Sequence, residues 1–118
     1  MSVMTFDQLV ERLTDIPFDE VRKKYDGYLE IVLSGNHVGR LYPELEKFFG
    51  VPFKPAGVEP SEGPSQDFAK RYGGIRKHQT LYFLTQGEKA SCAMIWPWEN
   101  GGRVTLKLAR GAMNEIKR

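Results

Sequence analysis

The 118-residue sequence predicts an α+β fold. A C-terminal three-stranded antiparallel meander is joined by a fourth strand near residues 28–34 and packed on one face by N-terminal helices. Three observations carry this expectation. The last third alternates apolar and polar residues through three runs, 79–86, 89–98 and 103–110. Gly87-Glu88 and Asn100-Gly101-Gly102 separate those runs with turn chemistry. The first half instead sets apolar residues at helical spacing behind capping signals.

Thr5-Phe-Asp-Gln8 has the form of a capping box, and Phe6, Leu9, Val10 and Leu13 follow at helical spacing, which predicts a helix over 6–14. A second helix is expected over 18–25. Its acids Asp19 and Glu20 come early and Arg22, Lys23 and Lys24 late, as the helix dipole prefers, and Asp26-Gly27 would close it. Tyr28 to Leu33 is rich in β-formers and ends at Ser34-Gly35-Asn36, hence the fourth strand. A short extended return over 38–42 is expected next. Pro43 suits the first position of a helix over 43–49, stopped by Gly50.

Between 50 and 66 the chain carries Pro52, Pro55, Pro60 and Pro64, a density that forbids a regular element and stiffens the backbone. A connection of this length within one domain is often a binding loop, and Phe53 and Val58 are the residues able to pin it to the core. Ser65 is expected to cap a short helix over 66–72, closed by Gly73-Gly74. Residues 111–118 are expected to fray as a polar tail. The whole chain, 1–118, reads as a single domain.

Registers follow from the turns. A two-residue Gly87-Glu88 loop sets Gln86 opposite Lys89, Phe83 opposite Cys92 and Leu81 opposite Met94. For the second turn there are two options, and a slip of one residue inverts a strand. A three-residue loop with Gly102 in the left-handed conformation puts Val104, Leu106 and Leu108 on the face of Trp96 and Met94. An Asn100-Gly101 turn puts them on the opposite face. Matching apolar faces selects the three-residue loop. Pro97 cannot donate to a ladder, so pairing is expected to fray around Trp96-Pro97-Trp98.

Composition bounds the function. One cysteine excludes an internal disulfide and fits a reducing compartment. The N-terminus lacks the basic and apolar regions of a signal peptide, and no apolar run approaches membrane-spanning length, so a cytoplasmic protein is expected. Charge is unevenly placed. Residues 1–64 hold seven Lys and Arg against eleven Asp and Glu, and residues 65–118 hold ten against four. The basic half could face an anionic partner.

Few residues offer catalysis. Two histidines and one cysteine show no ligand spacing, so neither metal nor cofactor is expected. Cys92 reads as a small buried hydrophobe. Gly73-Gly74-Ile75-Arg76-Lys77-His78 could present backbone N–H groups and cations to an anion, although the glycines follow a helix rather than open one. The leading expectation is therefore a non-catalytic binding module for a protein or small anionic ligand, using Phe53, Arg76, Lys77, His78 and Trp98. Single-stranded nucleic-acid binding through Lys70, Arg71, Tyr82 and Lys107 is the alternative, with Tyr82 as the stacking ring. A third is an enzyme whose His37, His78 and Glu44 meet only in the fold.

Overall fold

Thr5 starts the first helix as its sequence demands. In a computed structural model describing residues 4–99 and 101–113, α1 spans Phe6–Thr14. Gln8 N–H donates to Thr5 Oγ1 at 3.1 Å, and Thr5 N–H donates to Gln8 Oε1 at 2.9 Å. Phe6, Leu9 and Leu13 turn inward.

The next segment departs from expectation. Glu20–Tyr25 is a strand, β1, and not a helix; it pairs with β2, Tyr28–Ser34, across the Asp26-Gly27 turn. Gly27 has φ +81°, and Tyr25 lies opposite Tyr28. Asp-Gly closes a helix or turns a hairpin equally well, and here the unpaired edge of β2 decides for the hairpin. A 3-10 segment, Gly35–Arg40, replaces the expected extended return and leads into α2, Leu41–Phe49. α3, Pro64–Lys70, begins with proline at its first position and Gly63 before it. Ser65 is buried inside the first turn and does not cap it.

Three more strands complete the sheet: β3 Thr80–Gln86, β4 Lys89–Pro97 and β5 Arg103–Ala112. Their order is β1-β2-β5-β4-β3, and every neighbour is antiparallel. The β3–β4 register is the expected one, with Phe83 opposite Cys92 and Leu81 opposite Met94. The β4–β5 register is not. Pro97 faces Val104, Ile95 faces Leu106 and Ala93 faces Leu108, so the aliphatic row of β5 points away from Trp96 and Met94. Gly101, at φ +73°, takes the positive conformation expected of Gly102; Asn100 lies outside the described residues.

The reason is that both faces of the sheet are covered. On one, Leu29, Ile31, Tyr82, Ile95 and Leu106 pack with Leu9, Leu13, Leu41 and Leu45 of α1 and α2. On the other, Phe68 and Ala69 of α3 and Ile75 pack on Tyr28, Leu81, Cys92 and Met94. Face matching presumed a single interior, and a second one removes the constraint. The N-terminal helices accordingly lie on the Tyr82/Ile95 face, not on the Trp96/Met94 face.

Pairing continues through Pro97 without fraying, and Trp98 N–H donates to the Arg103 carbonyl at 2.9 Å. Since β3 begins opposite Ile95, no neighbour on that side asks Pro97 for a donor. At the other end β5 reaches Ala112, with Gly111 and Ala112 opposite Ala90 and Lys89. The expected tail is therefore ladder at its start; residues 114–118 lie outside the described residues.

The proline-rich loop is pinned by Lys54, a residue that the sequence did not single out. Its backbone exchanges hydrogen bonds with Leu81 at 3.0 and 2.9 Å, sealing the β3 edge between Pro52 and Pro55. Its ammonium is buried and donates to the carbonyls of Pro55 at 3.0 Å, Lys77 at 2.7 Å and Gln79. Burial pulls its pKa below the ordinary lysine value. Phe53 and Val58, the expected pins, are about half exposed.

Candidate binding groove at the open end of the sheet

On the α3 face, cover ends before the strands do. α3 and the turn after it protect the rows of Cys92 and Met94. Beyond them Arg22, Gln79, Trp96, Pro97, Trp98, Glu99 and Thr105 line an open groove of about 620 Å³.

Each wall has a local cause. β1 bulges between Val21 and Lys23, which leaves Arg22 without an opposite residue on β2. A bulge re-aims its extra side chain. Here the Arg22 guanidinium comes 5.5 Å from the centre of the Trp98 ring, and that of Arg103 5.7 Å. Trp98 is half-buried and donates its indole N–H to Thr105 Oγ1 at 2.8 Å. Trp96 sits below the Gly73-Gly74 turn. A Cβ at Gly73, whose φ is +110°, would fall 2.5 Å from the Trp96 ring, so only glycine fits there.

Lys107 holds the other boundary. Its ammonium lies 3.6 Å from the Trp96 ring centre and donates to the Tyr72 carbonyl at 2.7 Å. Burial lowers its pKa. The Trp96 indole N–H is enclosed and makes no hydrogen bond among the described residues.

The basic turn reaches the groove through one amide. Gln79 Oε1 accepts from Arg76 N–H at 2.8 Å, and the Arg76 carbonyl accepts from Gln79 N–H at 3.0 Å. Gln79 is thereby fixed as a groove wall, and Arg76, Lys77 and His78 stand exposed beside it. That turn was expected to act with Trp98 and Phe53, and the fold has the turn and Trp98 at the same end of the sheet. Phe53 lies apart from them, its ring 5.9 Å from Phe83 near the β3 edge.

The residues expected to bind nucleic acid do not share a surface. Tyr82 is completely buried on the α1–α2 face, 5.7 Å from the Phe49 ring, and offers nothing to a base. Lys107, expected to act with Tyr82, belongs to the opposite face because of the shifted β5 register, as does Thr105. Arg71 lies over Phe68 and donates to the Ala112 carbonyl at 2.8 Å; Lys70 is exposed on α3.

An acid–base site does not assemble from the expected trio. His37 follows β2 and His78 precedes β3, strands with β5 and β4 between them, a separation of about 14 Å at normal strand spacing. Glu44 is held by Arg12 at 2.6 Å and Lys47 at 3.6 Å, and the Arg12 hydrogen bond keeps its carboxyl below the usual range. Cys92 is fully buried, and burial pushes its thiol up to about 12. Among the described residues no three His, Cys, Asp or Glu side chains gather to hold a metal, and no helix is long and apolar enough to cross a membrane.

Comparison with family models, with curated proteins and with solved structures finds no match to this chain. Its chemistry is therefore read from its own residues. Arg22, Gln79 and Arg103 were missed in the sequence. A hairpin reading of Asp26-Gly27 would have put Arg22 on an edge strand, but nothing local announces the bulge.

Proposed function

We propose that this protein is a non-catalytic binding module whose groove holds the anionic group of a small ligand or protein partner. One observation carries the reading. The bulge at Arg22 turns a guanidinium over Trp98 within an open groove walled by Trp96 and Trp98, and Arg103, beside the groove, brings a second cation to the same indole. The exposed Arg76-Lys77-His78 turn extends the basic rim. Neither histidine nor thiol lines the groove and Glu99 is the one carboxylate on it, which favours holding a ligand over activating one. The buried, unpaired thiol of Cys92 supports a cytoplasmic setting.

The chain has two tryptophans and both line the groove, so tryptophan emission, excited selectively beyond the tyrosine band, reports on this site. Titration with pyrophosphate and with hexaglutamate at low salt should give a saturable change. Arg22→Gln should weaken it at least five-fold while leaving the circular dichroism spectrum intact. A flat response to both anions would remove the reading.

A further inference from the structure

We infer that the ligand of this groove is a nucleotide unit, a planar base carrying a phosphate, taken either singly or as part of a single strand. The inference rests on the binding reading above and deepens it by naming the ligand class.

The hydrogen-bonding inventory selects for acceptors. Gln79 spends its oxygen on Arg76 N–H, which leaves the amide N–H₂ as its free group. Thr105 Oγ1 already accepts from Trp98, so its own hydrogen is what it has to give. Arg22 and Arg103 can only donate. An acceptor-rich, anionic ligand answers these donors, and Glu99, the one carboxylate on the lining, can accept from the amino group of a base. The walls select for flatness. Trp96 and Trp98 are indoles, and Lys107 occupies one face of Trp96, so a planar group would stack on the face turned from that ammonium. An acidic side chain brings acceptors without a flat face, and a plain aromatic ring brings the face without acceptors. A base on a phosphate brings both.

In the free protein the cations are already met by carboxylates. Asp19 Oδ2 is 3.2 Å from Arg103 Nε, and Glu20 Oε2 is 3.7 Å from Arg22 Nε. All four side chains are substantially exposed, and such pairs contribute little to stability. A terminal phosphate carries up to about two charges against a carboxylate's one, and a nucleotide unit adds base stacking that Asp19 and Glu20 do not, so it displaces them. Asp19 and Glu20 thus act as internal competitors for the ligand's place.

The test compares ligands that differ only in the base. Tryptophan fluorescence should show adenosine monophosphate binding at least five-fold tighter than ribose 5-phosphate, the lower end of what base stacking contributes (roughly five- to hundred-fold). The Asp19→Asn/Glu20→Gln double variant should bind adenosine monophosphate about two- to five-fold tighter than wild type, the worth of an exposed ion pair. This gain cannot come from misfolding. Thymidine monophosphate against pentathymidylate then separates the sources: a strand bound more than five-fold tighter than its monomer identifies single-stranded nucleic acid, and equal affinity identifies a free nucleotide. Equal affinity for adenosine monophosphate and ribose 5-phosphate overturns the inference, as does a double variant that binds no tighter. If hexaglutamate still saturates the groove in that case, the binding reading survives and only the ligand class falls.

Discussion

Replacing Tyr82 by phenylalanine should stabilise the protein, against the usual direction of core substitutions. The ring projects from β3 into the α1–α2 core, completely buried beside Phe49 of α2, and its hydroxyl has no hydrogen-bond partner among the described residues. An unpaired buried hydroxyl costs about 1–3 kcal/mol on the protein mutational scale. Phenylalanine keeps the ring and removes that cost, so the variant gains about 1–3 kcal/mol at pH 7, or about 4 °C in Tm per kcal/mol for a domain of this size. The gain should grow in alkali. Burial pushes the Tyr82 phenol up to about 12 from its ordinary value near 10. Between those values the unfolded chain loses the proton first, so wild-type stability falls by about 1.4 kcal/mol per pH unit on account of this group. The variant lacks that loss. Urea denaturation at pH 7 and at intervals from pH 9.5 to 11.5 measures both effects. A variant less stable by 1 kcal/mol at pH 7, or a wild-type difference that stays constant through alkali, would refute the burial argument. Either result would also reopen Tyr82 as an accessible ring.

Two further perturbations probe the same architecture. Lys54→Met should cost about 2–4 kcal/mol, because three carbonyls lose a charged donor; proteolysis within residues 50–63 should accelerate, and a loss below 0.5 kcal/mol would show that the lysine is no pin. Cys92, with its thiol raised by burial, should resist a disulfide reagent at pH 8 until urea unfolds the chain, and labelling of the native protein within minutes would contradict its enclosure.

How much of this was legible depends on how local each signal is. The capping box fixes α1 to the residue, because both of its hydrogen bonds lie within four positions. Gly87-Glu88 fixes the β3–β4 register for a similar reason. Asp26-Gly27 is local but ambiguous, and the partner that resolves it, β2, carries no mark of needing a second edge. Lys54 was invisible because the carbonyls of Lys77 and Gln79 that cage it lie more than twenty residues away. Trp98 in the groove and the Arg76–His78 turn beside it could be named from the sequence. Arg22 could not, since a bulge is a relation between two strands.

The β5 register links the fold to the site. Moving that strand by one residue carries Thr105 and Lys107 onto the Trp96 face and takes Val104, Leu106 and Leu108 off it. Without the shift, Trp98 would have no hydroxyl to receive its N–H, and Trp96 no ammonium against its ring. The extent of the open surface then follows from lengths. α3 has seven residues, about 10 Å of helix, whereas β4 has nine, about 30 Å of strand. A helix so short cannot roof the face. Even with Tyr72 and Ile75 packed beside it, cover stops at Gly73, which the Trp96 ring forbids from growing a side chain. What lies past that glycine is open because the roof is short, and polar because it is open. The indoles mark that edge: Trp96 packs against the core beneath the glycine, with its N–H enclosed, and Trp98, half-buried with its N–H on Thr105, is the ring that reaches the open surface.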